Sequence, residues 1–158
     1  MTDAIAALSI LSQLYMRDEV LADFYARWQD EPLVLDKWFG LQAAAQRADT
    51  LDQVRRLATH PDFNLANPNR ARALVGTFAM NQWAFHGEGG DAYRFLSDMI
   101  LDIDRINPQV AARLVPPLGR WRRFHEDRAG LMRAELERLL KDSKLSKDVY
   151  EQASKSLA

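Results

Sequence analysis

The chain has 158 residues, the size of one ordinary domain, and its 47% hydrophobic and 27% charged content is too apolar for a disordered chain and too polar for a membrane protein. Twenty-one basic residues against 22 acidic ones leave a net charge of −1, so no overall excess draws the molecule to nucleic acid or anionic lipid. Cysteine is absent, which removes disulfides, thiolate metal sites and thiol nucleophiles together and agrees with a cytoplasmic setting.

The N-terminal stretch Met1-Thr2-Asp3-Ala4-Ile5 has neither the basic nor the long apolar region of a secretory leader, and no run approaches the roughly 18 apolar residues of a membrane span. Apolar residues then recur at helical spacing: Val20, Leu21, Phe24 and Trp28; Val34, Trp38, Leu41 and Ala45; Leu51, Val54, Leu57 and Ala58. Leu96, Met99, Ile100 and Ile103, with Arg94, Asp98, Asp102 and Arg105 on other faces, predict an amphipathic helix of about four turns. Nothing alternates like a strand, so the fold class is all-α, with seven to nine helices in a single domain over 1–158.

Helix starts are marked by side-chain caps and by proline at the first helical position, which satisfy or remove orphan N–H groups. Asp30-Glu31-Pro32, Asn67-Pro68 and Asn107-Pro108 are such starts, Thr50 with Gln53 reads as a capping box, and Ser146 caps the last helix. Breaks are expected at His60-Pro61-Asp62, Gly87 to Gly90, Pro116-Pro117 and Lys141 to Leu145. The starts at Pro32, Pro68 and Pro108 recur at intervals near 40 residues, each leading a pair of helices. That period favours a HEAT- or armadillo-like superhelical stack over its rival, a plain bundle.

Catalytic machinery is missing from the pattern. A helical zinc peptidase site needs two histidines four apart with a glutamate between them; here His125-Glu126 is followed by Ala129 at the second ligand position. No nucleophile elbow occurs, and Glu88 within Gly87-Glu88-Gly89-Gly90 would repel a phosphate. The run Arg113, Arg120, Arg122, Arg123, Arg128, Arg133 with Trp121 and Phe124 could be read as a nucleic-acid surface. Trp121, Phe124, Arg128 and Leu131 also fit one core-facing helical stripe, and nearby acids offset the charge. The second reading is preferred, leaving no nucleic-acid partner.

Polar residues concentrate at two similar helix starts, Asn67-Pro68-Asn69-Arg70-Ala71-Arg72 and Asn107-Pro108-Gln109-Val110-Ala111-Ala112-Arg113. Arginine in a first turn opposes the helix dipole unless an anion or carbonyl offsets it. Gln109 and Arg113, four apart, share a face and can converge on a carboxylate or peptide carbonyl. The alternative is pairing with acids such as Asp102 or Asp104, or projection into water.

Asp36-Lys37-Trp38-Phe39, the Asn67-Pro68 start, Ala84-Phe85-His86, the Asn107-Pro108 start, Tyr150-Glu151 and Leu157-Ala158, in this order over nearly the whole chain, resemble the C-terminal domain of the bacterial aminopeptidase N family of M1 zinc metallopeptidases. The resemblance implies a helical superhelix that caps the catalytic domain, encloses a cavity and restricts entry to short peptides. It also implies that Gln109 and Arg113 face that cavity and contact substrate, with Arg72 a second cavity-facing arginine. Zinc belongs to the parent enzyme, and no cofactor is expected in this chain.

The chain is therefore expected to be a non-catalytic domain of a longer protein, Met1 being an internal methionine. Its partners are the catalytic domain and peptide substrates, and, when it is isolated, other copies of itself through uncovered apolar surface. The alternative is a free-standing helical-repeat scaffold that binds a protein or peptide along its concave face.

Overall fold

The computed structural model describes residues 2–11 and 17–158; Met1 lies outside the described residues. Every regular element among them is helical, and the chain packs as two units, one up to Ala84 and one over Phe85–Ala158. No described helix is long and apolar enough to cross a membrane.

The first unit contains α1 (Thr2–Leu11), α2 (Arg17–Trp28), α3 (Pro32–Ala43) and α4 (Thr50–Ala58). A rod follows in which α5 (Pro68–Ala71) runs through a π-turn (Arg72–Gly76) into α6 (Thr77–Met80), before the single turn α7 (Gln82–Phe85). The central element is α3, which packs on α2, on α4 and on the rod. Its Trp38 and Phe39, with Val54 and Leu57 of α4 and Leu74, Val75 and Phe78 of the rod, are buried. Each such side chain contributes about 1.5–3 kcal/mol relative to exposure.

The second unit begins with Glu88–Gly90, a 3₁₀ turn in which Gly89 and Gly90 have φ of 84° and 78°, left-handed values that favour glycine. α8 (Asp91–Asp104), α9 (Pro108–Ala112), α10 (Pro116–Gly119), a 3₁₀ turn (Trp121–Arg123), α11 (Glu126–Leu140) and α12 (Lys147–Leu157) follow. α8 packs on α9 and α11, and α12 on α9, α10 and α11, around Leu96, Ile100, Ile103, Leu118, Met132, Leu136 and Val149. Arg138 of α11 ties that helix to α8 by pairing with Asp98, while Glu135 accepts from Arg138 at 2.7 Å and from Ser97.

Seven described α-helices (α1, α2, α3, α4, α8, α11 and α12) have nine or more residues, in keeping with the seven to nine expected. The three prolines open α3, α5 and α9 as read from the sequence. Asn67 accepts from the N–H groups of Asn69 and Arg70, Asn107 from that of Val110 and Ser146 from that of Val149.

Two local readings are corrected. Thr50 and Gln53 form no capping box: Asp49 is the N-cap of α4, the Thr50 hydroxyl donates to the Ala45 carbonyl at 2.8 Å, and the Gln53 amide donates to Gln42 at 2.7 Å. The Asp49 carboxylate is itself engaged by Arg17 and Arg47. Burial pushes that carboxyl up, but the two guanidinium groups outweigh it and leave it below the usual carboxylate range. Nor do Trp121, Phe124, Arg128 and Leu131 form one core-facing stripe, because Phe124 is extended and α11 starts afresh behind His125. Ala129, Met132, Leu136 and Leu139 face the core instead, and Leu131 is exposed.

Candidate functional site

α9 presents Gln109 and Arg113 together. Pro108 at the first helical position and the Asn107 cap fix its start, so the four-residue spacing sets both side chains on one exposed face. They line a shallow groove with Ala112, and its opposite wall is the Asp148, Glu151 and Gln152 face of α12. Neither Gln109 nor Arg113 has a side-chain hydrogen bond or ion pair among the described residues. The acids that sequence reading offered as partners are occupied elsewhere: Asp102 pairs with Arg105, and Asp104 accepts from the backbone N–H and hydroxyl of Ser146. On the far wall Glu151 pairs with Lys155 at 2.6 Å, which holds its carboxyl below the usual range.

Arg72, the third residue expected at the site, lies in the first unit and lines a different cleft with Lys37, Leu33 and Ala73. It is exposed, and its guanidinium donates to the Asn69 side chain at 2.7 Å.

Its neighbour Arg70 has a structural task that the sequence reading did not assign. Arg70 is 6% exposed, donates to the Asp36 carboxylate and the Asp62 carbonyl, and sits 5.0 Å from the centre of the Phe39 ring. The unfavourable charge near a helix start is thus offset by a carboxylate from α3 and a carbonyl from the loop before α5. Asp62 also accepts from the Tyr25 hydroxyl, a bond that pushes the Tyr25 phenol up. His60 stands edge-on to Tyr25, Trp38 and Phe39 at 5.2–5.8 Å, a packed aromatic corner.

Two arginines of the second unit's run, Arg122 and Arg133, serve the fold. Arg122 lies 4.1 Å and Arg133 5.1 Å from the centre of the Trp121 ring. The Trp121 indole N–H donates to the Ser156 carbonyl at 3.0 Å, and Arg122 donates to the carbonyls of Ser156 and Leu157. A cation there complements the negative end of α12 and satisfies its last carbonyls. Trp121 and Arg122, offered as nucleic-acid contacts, are therefore committed to the protein's own helix end.

His86 Nδ1 is 2.8 Å from the Tyr93 hydroxyl, and the imidazole stacks on Phe124 at 4.1 Å. Burial, followed by the charges of Arg128 and Arg120, lowers its pKa to about 4, so the ring is neutral at pH 7. Burial pushes the Tyr93 phenol up to about 12.

Among the described residues no group of three or more His, Asp or Glu side chains is placed to hold a metal ion. A paired amide and guanidinium over an acidic wall can instead grip a polar chain: guanidinium and amide N–H groups donate to carbonyls or a carboxylate, and Asp148 accepts from backbone N–H groups.

A family model described as "Domain of unknown function (DUF3458_C) ARM repeats" matches residues 1–158. The chain belongs to this ARM-repeat family. The ARM-repeat domain is 49% identical over 160 residues to aminopeptidase N of Haemophilus influenzae, covering 99% of this chain and 18% of that protein. Aminopeptidase N of Caulobacter vibrioides is likewise 49% identical over 160 residues, with the same shares covered. Aminopeptidase N of Escherichia coli is 47% identical over 161 residues, covering all of this chain and 18% of that one. Among solved structures, that of Legionella pneumophila aminopeptidase A in complex with aspartic acid superposes with a TM-score of 0.94 at 35% identity, covering 99% of this chain and 19% of the other. The ARM-repeat domain thus corresponds to the C-terminal domain of bacterial aminopeptidase N and spans about a fifth of the length of these relatives.

Proposed function

We propose that residues 1–158 act as one non-catalytic cap domain of a longer cytoplasmic aminopeptidase, enclosing the active-site cavity and gating the entry of peptides. Gln109 and Arg113 hold the peptide beyond the scissile bond, and Arg72 is a further cationic contact. The observation that carries this reading is the pair itself: an exposed amide and guanidinium, both without partners among the described residues, aligned on one face of α9 above a polar groove. A groove kept open and charged at some cost to local pairing is what reversible binding of a peptide backbone requires.

Zinc, the metal that activates water in peptidases of this kind, does not fit the donors in this chain, which lacks His-Glu-x-x-His and cysteine. In this reading the metal is held by another segment of the polypeptide, with which the domain's exposed Met80, Trp83 and Ile106 have apolar surface to share. The same surface makes the isolated domain self-associate at high concentration, which sedimentation reads directly.

The test is kinetic and uses a full-length aminopeptidase containing this domain. Arg113→Ala and Gln109→Ala each lower kcat/KM for peptides of four or more residues about tenfold and leave a single-residue chromogenic amide unchanged. Unaltered kinetics on the longer peptides would sink the assignment of these two residues.

A further inference from the structure

The cleft around Arg72 is larger and more apolar than the α9 groove. It has a volume of about 670 Å³, within the ~300–1,000 Å³ of small-ligand clefts. Ile5 of α1, Leu33, Gly40 and Leu41 of α3, and Ala73 of the π-turn line it. At its rim stand two cations, Lys37 and Arg72, both exposed and neither paired with a carboxylate among the described residues. The one acid of the lining, Asp36, is already taken by Arg70. Asn69 and Thr77 add polar groups along the wall; the Asn69 side-chain oxygen accepts from Arg72, and its side-chain N–H groups have no partner among the described residues.

The wall itself is unusual. In the π-turn the Thr77 N–H reaches back to the Arg72 carbonyl, five residues away instead of four. Such turns are rare and concentrate at functional sites, because the extra residue displaces side chains that a regular helix would hold in register. Here the displaced stretch includes Arg72 and Ala73, and Thr77 follows at once. Gly40 of α3 faces this wall, and a Cβ there would meet the Ala73 carbonyl oxygen at 3.4 Å, an ordinary contact distance.

We propose that this cleft is a binding subsite for the C-terminal residue of a peptide, the free carboxylate held by Lys37 and Arg72 and an apolar side chain seated among Ile5, Leu33, Leu41 and Ala73. Two unpaired cations over an apolar lining complement an anionic group attached to an apolar one, and Asn69 and Thr77 serve the peptide bond just before it. The inference deepens the reading of Arg72 given above and rests on it, but involves neither Gln109 nor Arg113.

Binding is followed on this chain, ¹⁵N-labelled, by NMR titration with three probes: acetyl-Ala-Leu with a free carboxylate, its C-terminal carboxamide, and octanoate. The first shifts the amide resonances of Gly40, Ala73 and Thr77; the carboxamide binds about tenfold more weakly, as does octanoate, which lacks the peptide bond. Lys37→Gln and Arg72→Gln, both at exposed positions, each weaken the free acid about threefold to tenfold with an otherwise unchanged spectrum, and Lys144→Gln, exposed and outside the cleft's lining, has no effect. Shifts absent from these three residues, equal binding of acid and carboxamide, or octanoate binding as well as the peptide would each overturn the proposal. Because no peptidase activity is read, such a result leaves the α9 groove to be judged on its own kinetics.

Discussion

Asp104, near the end of α8, accepts two hydrogen bonds from one residue 42 positions later, the backbone N–H of Ser146 at 2.8 Å and the Ser146 hydroxyl. Ser146 is in turn the N-cap of α12, whose Asp148 and Glu151 form the far wall of the α9 groove. A buried carboxylate of one helix thus sets where another begins. Asp104→Ala leaves both Ser146 donors without this acceptor and is expected to cost about 2–3 kcal/mol in urea unfolding, with Asp104→Asn losing less. Ser146→Ala removes the cap and one of the two bonds, and costs about 1–2 kcal/mol.

Packing between α10 and α12 depends on a missing side chain. A Cβ on Gly119 would lie 2.7 Å from the Ser156 Oγ and 3.0 Å from its Cβ. Gly119→Ala is therefore destabilising by about 1–3 kcal/mol. Ser156→Gly restores most of that loss in the double variant, which thermal melts of the four chains measure as a coupling.

His86 makes stability depend on pH in a defined direction. It titrates near 4 in the folded chain against 6.5 for an unperturbed imidazole, so between those values the unfolded chain binds more protons and acidification favours unfolding. The penalty is absent above about pH 6.5, grows as pH falls, and is complete near pH 4; with solvent screening of this half-buried ring it amounts to about 1–2 kcal/mol. Urea midpoints recorded across this window fall with pH, and His86→Gln flattens that part of the profile.

Arg70 is expected to be the arginine whose loss is most damaging to the first unit. Arg70→Ala leaves Asp36 and the Asp62 carbonyl without their donor, at a cost of about 3 kcal/mol. Arg70→Lys recovers little, because a single ammonium cannot reproduce a planar fork that serves two acceptors and lies over Phe39. By contrast Arg72→Ala, exposed and bonded only to Asn69, shifts the melting temperature by less than about 2 °C.

Neighbouring arginines with such different tasks mark the limit of what a one-dimensional pattern carries. Helix caps at Asn67, Asn107 and Ser146 were legible because cap and orphan N–H lie within three residues of each other, as were the proline starts and the buried stripe of α8. Gln109 and Arg113 were legible as a pair for the same local reason. Arg70 was not, since its partner Asp36 is 34 residues away. Thr50 and Gln53 have the residue types of a capping box, yet contacts to Ala45 and Gln42 claim both side chains. The π-turn gives no sign in residue type, because Arg72-Ala-Leu-Val-Gly76 would serve equally well in a regular helix.

A π-turn is one residue more than an α-helix of the same rise requires, and each residue turns the helix by about 100°. Removing one residue between Arg72 and Gly76 would let the rod close into uninterrupted α-helix with both ends still anchored, Asn67 at one and Phe78 at the other. The wider turn absorbs that residue, so its removal would leave the two flanks facing nearly as before while drawing Arg72 and Ala73 back into regular helical register. A single-codon deletion there is one the core could absorb, its cost falling on the cleft wall alone.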